Sequence, residues 1–403
     1  MVKITVLSYR NFPPRRVNME TEKKKVLLVT TVSGFVPQFE MNNVRILQSM
    51  GYEVHYASNY HMPVYTDNND RLNGTGIIQH QIDFVRSPFS MKNLRAYKQL
   101  KNLMKEIPFE LVHCHTPMGG VLARLAANRV GISHVIYTAH GFHFFQGASW
   151  KNWLCFYPVE RALAKYTDVL ITINQEDYEQ AKSFKLRDEG TVVLIQGVGI
   201  DTNRQCVTKD DALREKLGLT KKQIVFTSVG ELTKRKNHEV VIRAMAETVK
   251  KRQDISYLIC GSGVLEEYLR NLISELNLEQ NVKLLGYCTN VMDILQITDC
   301  FVFPSKQEGL PVAVLEAMNA QLPVICSKIR GNIDLIEEKK GGFLIANNSI
   351  EEYAKKMLVL AEKTELRKQF GSYNKEHVRR YDQTVVSEHM KLVYSEELGL
   401  PMC

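Results

Sequence analysis

No run of apolar residues in this 403-residue chain approaches the roughly 18–20 needed to cross a bilayer as a helix, so no membrane-spanning helix is expected. The N-terminus is basic but has no apolar core segment behind it, which argues against a secretory signal. Cysteine is sparse and scattered: eight residues, at 114, 155, 206, 260, 288, 300, 326 and 403, with no C-x-x-C pair. That pattern reads as reduced thiols of a cytosolic protein, most of them filling a core. No basic-aromatic motif marks a nucleic-acid surface, and no internal repeat, low-complexity segment or coiled-coil heptad is evident. No G-x-G-x-x-G follows the first expected strand with an acidic residue about 20 positions on, which counts against a dehydrogenase.

What is present is an ordinary globular composition, 44% hydrophobic and 24% charged, with length enough for two domains. The formal charge of +8 is uneven. Residues 1–195 hold 23 Lys/Arg against 16 Asp/Glu, and residues 196–403 hold 29 against 28. A basic N-terminal half suits anionic lipid head groups or a lipid-diphosphate acceptor, and equally an ordinary solvated surface. Residues 1–23, with Pro13, Pro14, Arg15 and Arg16, read as a disordered leader with weak membrane contact as the sharper alternative, and Met19 is a second candidate start.

From Lys25 onward strand and helix patterns alternate. Strands are expected at 25–31, 52–55, 77–82, 110–115, 134–138 and 168–174, with helices at about 38–50, 91–106, 118–131 and 149–165 between them. This is the pattern of a doubly wound α/β unit with a parallel sheet. A second such series starts with a strand at 224–230 and continues through strands at 256–260 and 282–286. Late helices follow at about 349–361 and 364–380, and a last one runs to Tyr394.

The most informative stretch is Phe301–Ser327, FVFPSKQEGLPVAVLEAMNAQLPVICS. Asp299–Pro304 reads as a buried strand, Ser305–Gly309 as a polar turn, Pro311–Ala320 as a helix with proline in its first turn, and Leu322–Ser327 as the next strand. Backbone amides around Gly309, Leu310 and Val312, aided by the helix dipole, favour a phosphate at that helix start. Glu308 precedes the helix and Glu316 sits about two turns in. Such a pair suits a nucleotide-sugar, one carboxylate reaching a hydroxyl-rich group and the other a ribose. Spacing alone also permits an N-terminal charge complementing the dipole and an ordinary solvated Glu.

Two loops fall at the C-terminal ends of strands, where such sheets bind ligands. They are His113-Cys-His115-Thr-Pro117 and Thr138-Ala-His140-Gly141-Phe142-His143-Phe144-Phe145. The histidine spacing matches no zinc pattern, and no metal is expected. A helix with Trp150, Trp153, Phe156, Tyr157, Arg161 and Lys165 could lie against a membrane or a lipid acceptor, though packing inside the domain is the favoured expectation. In the second half, Glu231-Leu-Thr-Lys234-Arg235-Lys236 places three adjacent cations at a helix start, where they should bind a diphosphate. Gly261-Ser262-Gly263 follows a strand and reads as a second backbone cradle.

The run from Glu308 to Met318, EGLPVAVLEAM, resembles the E-x7-E signature of glycosyltransferase family 4, retaining nucleotide-sugar-dependent enzymes of the GT-B fold. The likeness extends from about Lys25 to Arg380, and the His-Gly-Phe-His-Phe run is similar to its exopolysaccharide and capsule branch. The resemblance implies two Rossmann-like domains with parallel sheets facing across a cleft, with the last helix returning to the first domain. The expected division is 24–197 for an acceptor-side domain, 198–380 for a nucleotide-sugar domain and 381–403 for the returning helix, with Gln196–Asp201 as the hinge.

The resemblance also implies site roles. Glu308 would hold the transferred sugar, Glu316 the ribose and His140 the sugar near its reacting face. Lys236 and Arg235 would hold the diphosphate, Tyr287 would lie beside the base, and Gly34 would lie in a loop near donor and acceptor. The family usually has Arg where Glu231 stands, so the diphosphate role shifts to Lys236. No D-x-D-like motif sits at a strand end, in keeping with an implied metal-free reaction and no cofactor beyond the donor. The implied partners are a nucleotide-sugar, most readily a UDP-sugar, and a saccharide or lipid-linked saccharide at the inner face of the plasma membrane. A non-hydrolysing nucleotide-sugar epimerase shares the plan but needs an acid/base pair around the sugar, and none is assignable. An inactive nucleotide-sugar-binding partner is the reading from another class. Intact Glu308, Glu316, His140 and Lys236 oppose it, and Glu231 leaves it an opening.

Overall fold

The computed structural model describes residues 23–62, 64, 69–204 and 211–401. The leader expected over residues 1–23 therefore lies outside the described residues except for Lys23, as do Cys206 and Cys403.

Two parallel sheets organise the chain. The first is built from β1 (Lys25–Val32), β2 (Glu53–Asn59), β3 (Ile78–Gln81), β4 (Phe109–His115), β5 (His134–Ala139), β6 (Val169–Thr172) and β7 (Thr191–Leu194). Their order in the sheet is β3-β2-β1-β4-β5-β6-β7. The connecting helices are α1 (Met41–Ser49), α2 (Lys92–Glu106), α3 (Pro117–Val130), α4 (Trp150–Leu163) and α5 (Gln175–Ala181). Short α6 (Asp211–Lys216) leads into the second sheet. That sheet holds β8 (Ile224–Val229), β9 (Ile255–Cys260), β10 (Val282–Gly286), β11 (Cys300–Phe303), β12 (Val324–Ser327) and β13 (Gly342–Ile345), in the order β10-β9-β8-β11-β12-β13. Around it lie α7 (His238–Val249), α8 (Glu266–Glu275), α9 (Val291–Gln296), α10 (Val312–Asn319) and α11 (Asn332–Leu335). Helices α12 (Ile350–Glu362), α13 (Thr364–His377) and α14 (Gln383–Glu397) close the chain.

The strand sequences explain the layers. KVLLVTTV in β1 is apolar or β-branched on both faces, and all but its first residue are buried. CFVF in β11 is buried throughout. Strands covered by helices on both faces need such continuous runs rather than alternation. In both sheets the first strand lies in the interior and the order reverses there. This places a crevice beyond the strand ends where β1 meets β4 and where β8 meets β11.

The chain passes between domains twice, and the two passages touch. Ile200 donates its N–H to Tyr381 O (3.0 Å), and Gln383 N–H is donated to Ile200 O (2.8 Å). Asp382 then caps α14 and also accepts from Thr202 N–H at 3.1 Å. Beyond this hinge α14 returns to the first domain, as expected. Val386, Met390, Val393 and Tyr394 join the apolar cluster of Val26, Leu28 and Ile136. Tyr394 OH lies 2.7 Å from His113 Nδ1, and Glu397 pairs with His134 at 2.8 Å.

Three local expectations are corrected. The stretch 175–194, left without an element, forms α5 and the edge strand β7. Pro311 is not in the first turn of α10 but caps it with an extended backbone (φ −77°, ψ 116°). Packing inside the domain covers only one side of α4: Phe156 and Tyr157 pack on the core, whereas Trp150 is 69% and Leu154 66% exposed. Among the described residues no helix is long and apolar enough to cross a membrane.

Candidate active site

The cleft forms where the loops after β1, β5, β8 and β11 converge. Glu308 lies in the loop between β11 and α10, its side chain only 10% exposed. Its Oε1 accepts from Lys236 Nζ at 2.8 Å, Arg235 Nη1 at 2.9 Å and Ser305 Oγ at 2.6 Å. Arg235 also donates to Gln307 O at 3.1 Å, and Lys236 Nζ sits 4.7 Å from the Phe303 ring centre. The residues expected on the sugar and those expected on the diphosphate are thus one cluster, two cations to one carboxylate. The surplus positive charge is what a departing diphosphate needs nearby.

Gly309 brings the second domain against the first. A Cβ there would lie 2.0 Å from His140 O, so only glycine lets the two backbones approach this closely. His140 follows β5. Its Nε2 lies 3.2 Å from His115 Nδ1 and 3.3 Å from Glu40 Oε1, and Phe35 packs edge-on to its ring at 4.9 Å. Burial, helped by the neighbouring His113 and His140, holds His115 well below the usual imidazole range, so it is neutral. A cavity of about 440 Å³ opens between these walls, lined by Phe35, Phe39, His140, Arg235, Glu308 and Leu310 among others.

Glu316 faces a second cavity of about 280 Å³, with Gln38, Asn42, Arg204, Asn319 and Gln383. Burial pushes its carboxyl up, and Arg204 pulls the other way. Val312, in the first turn of α10, lines both cavities, so the two carboxylates address adjoining compartments. The first amides of α10 lack intrahelical partners by helix geometry and lie between them.

Other expected residues fall elsewhere. Gly261 and Gly263 form no open cradle. Gly261 donates its N–H to Gly286 O (2.7 Å), and a Cβ on it would meet Gly230 O at 2.0 Å. A Cβ on Gly263 would meet Leu232 O at 2.6 Å. These glycines let the β9–α8 loop pack on the β8–α7 loop, a backbone contact that the G-x-G pattern cannot distinguish from phosphate binding. Gly34, whose carbonyl accepts from Gln38 N–H, and Tyr287, 57% exposed, line neither cavity. Glu231 is exposed and lines neither cavity.

Two side chains escaped sequence reasoning. Glu40, at the end of a π-helical turn (Val36–Glu40), is 3% exposed beside His140. Arg330, after β12, reaches from the second domain into the first. It donates to Asp177 Oδ1 at 2.6 Å, Phe142 O at 3.0 Å and Glu308 O at 3.0 Å, with both charged groups fully buried. The only sequence signal was Arg330-Gly-Asn after a strand, which carries no partner information.

Two parallel sheets with a cationic, carboxylate-bearing cleft between them define the GT-B architecture, and comparison with known proteins agrees. Residues 209–377 match the family described as glycosyl transferases group 1, and residues 25–174 match glycosyl transferase 4-like. The chain is 35% identical to putative glycosyltransferase EpsD of Bacillus subtilis over 383 residues, covering 94% of this chain and 98% of that one. It is 33% identical to an Escherichia coli UDP-Gal:alpha-D-GlcNAc-diphosphoundecaprenol alpha-1,3-galactosyltransferase over 65% of this chain and 69% of that one. The crystal structure of Anabaena Alr3699/HepE in complex with UDP-glucose superposes with a TM-score of 0.74 at 18% identity, covering 93% of this chain and all of that one. The chain therefore belongs to glycosyltransferase family 4 and is a glycosyltransferase of glycan synthesis.

Proposed function

We propose that the protein transfers a sugar, with retention at the anomeric carbon, from a UDP-sugar to a hydroxyl of a lipid-linked saccharide in surface-polysaccharide assembly. The observation that carries this reading is the Glu308–Lys236–Arg235 cluster opposite His140 across one cavity. Lys236, Arg235 and the α10 amides stabilise the leaving diphosphate without a divalent metal. Glu316 holds the ribose in the adjoining compartment, and His140 places the sugar. Glu308 is a poor nucleophile, because three donors already occupy one of its oxygens; it orients sugar hydroxyls instead. The choice of uridine and of a diphosphoundecaprenol-type acceptor follows the Escherichia coli relative.

The acceptor side has physical support on α4. Exposed Trp150 and Leu154 lie on the same helix as Arg161, which with Lys165 and Lys185 lines a recess of about 470 Å³. An apolar patch beside cations suits contact with an anionic lipid surface.

Melting curves of the purified protein with UDP, GDP, ADP or CMP, each in EDTA, test the donor site. UDP alone should raise the melting temperature, and Lys236→Ala should abolish the rise. No shift with any nucleotide in a folded protein would overturn the reading.

A further inference from the structure

We propose that Glu40, His115 and His140 form a binding site for one four-coordinate transition-metal dication of the zinc class. The three come from separate elements: Glu40 from the π-helical turn after β1, His115 from the end of β4 and His140 from the loop after β5. Each offers one atom to a common point. The edges of the triangle are 3.2 Å (His115 Nδ1 to His140 Nε2), 3.3 Å (His140 Nε2 to Glu40 Oε1) and 3.6 Å (His115 Nδ1 to Glu40 Oε1). A tetrahedron with metal–ligand bonds of about 2.0–2.1 Å has edges of about 3.3–3.4 Å. The observed triangle is one face of such a tetrahedron.

Hydrogen bonding alone fits the triangle less well. An imidazole nitrogen has one in-plane position, either proton or lone pair, so at most two of the three edges can be hydrogen bonds. The third then sets two like groups against each other. Glu40 adds a second requirement. Its carboxylate is buried, and among the described residues no Lys or Arg ion-pairs with it; the groups facing its Oε1 are the two imidazole nitrogens. A dication at the centre satisfies all three atoms and the buried charge together.

The surroundings complete the assignment. Asn43 Nδ2 donates to the other Glu40 oxygen at 2.5 Å, an outer contact that orients the ligand. Glu40 and His140 also border a cavity of about 20 Å³, room for one water beside two of the three ligands. Two imidazoles and one carboxylate select zinc, cobalt, nickel or copper over magnesium and calcium. With Nδ1 on the ion, His115 Nε2 carries the ring proton, and that buried atom has no partner. A missing outer contact typically weakens affinity about 10–100-fold, so the site should be weaker than a fully supported one. His140 is common to this site and to the sugar-placing role proposed above, but the cluster of Lys236, Arg235 and Glu308 stands on the opposite wall of the cavity, so the ion is no substitute for a metal on the diphosphate.

The test is a Co²⁺ titration of tag-free, chelator-treated full-length protein. One equivalent should develop the visible absorption of a four-coordinate cobalt centre, and Zn²⁺ should displace it. His115→Asn and Glu40→Gln should each lose the band while keeping a cooperative melt in metal-free buffer. Should either fail to fold, His140→Ala, at a partly exposed position, provides the same comparison. No saturable one-to-one band in the parent, or a band unchanged in the variants, overturns the proposal. The titration uses no nucleotide and the UDP melting shift uses no metal, so the two readings fail separately.

Discussion

Replacing Arg330 with Met should be the most damaging single change away from the reacting groups. Arg330 is 2% exposed and its partner Asp177 is fully buried, so the substitution strands a carboxylate where water cannot reach it. It also removes the donors to Phe142 O and Glu308 O. Removing one member of a buried ion pair costs about 3–5 kcal/mol. At about 2–4 °C per kcal/mol for domains of this size, the melting temperature should fall by about 6–20 °C. The double variant Arg330→Met/Asp177→Asn removes both charges and should recover at least half of the loss. The pH dependence has a definite sign. Burial already pushes the Asp177 carboxyl up despite the opposing pull of Arg330, and losing Arg330 raises it further. A folded state that holds this proton more tightly than the unfolded chain gains stability as pH falls through the folded value. The deficit of the single variant should therefore be full at pH 8 and smaller at pH 5. Differential scanning fluorimetry of the parent, single and double variants at both pH values decides the matter. A single variant melting within 2 °C of the parent, or a double variant worse than the single, would refute the reasoning.

Gly309→Ala places a methyl 2.0 Å from His140 O and must push the domains apart at the reacting centre. Both domains should keep their helical circular-dichroism signal while transfer falls about 100-fold, measured as release of UDP from the donor. His134 is raised above its ordinary value, chiefly by its hydrogen bond with Glu397. It therefore contributes stability that is present below about pH 6.5 and lost at higher pH. His134→Gln should cost about 0.5–1 kcal/mol at pH 6 and nothing measurable at pH 8.5, read from paired melting curves.

The parts of the site legible in the sequence are those encoded by near neighbours in the chain. Glu308, Gly309 and Glu316 share one strand–loop–helix unit, and strand ends at His115 and His140 follow from buried apolar runs. What escaped is held by pairs distant in sequence. Arg330 and Asp177 are 153 positions apart, and Glu40 meets His115 only because β1 and β4 are adjacent. The stretch 175–194 was unreadable for another reason. Its helix and strand are short, and β7 is only partly buried, so no strong periodicity marks them. The G-x-G at 261–263 was legible as a pattern but not as a cause, since close packing and ligand binding demand the same residue.

The return of α14 sets the order in which the protein can be completed during synthesis. The first sheet emerges early, but Val386, Met390, Val393 and Tyr394 fill part of the core beneath it. Until those side chains leave the ribosome, apolar surface around Val26, Leu28 and Ile136 lacks its cover, and His113 lacks the Tyr394 hydroxyl. The half built on the second sheet, made later, has a core cluster without α14. The domain translated first is thus the one finished last, since its core waits for the last helix of the chain.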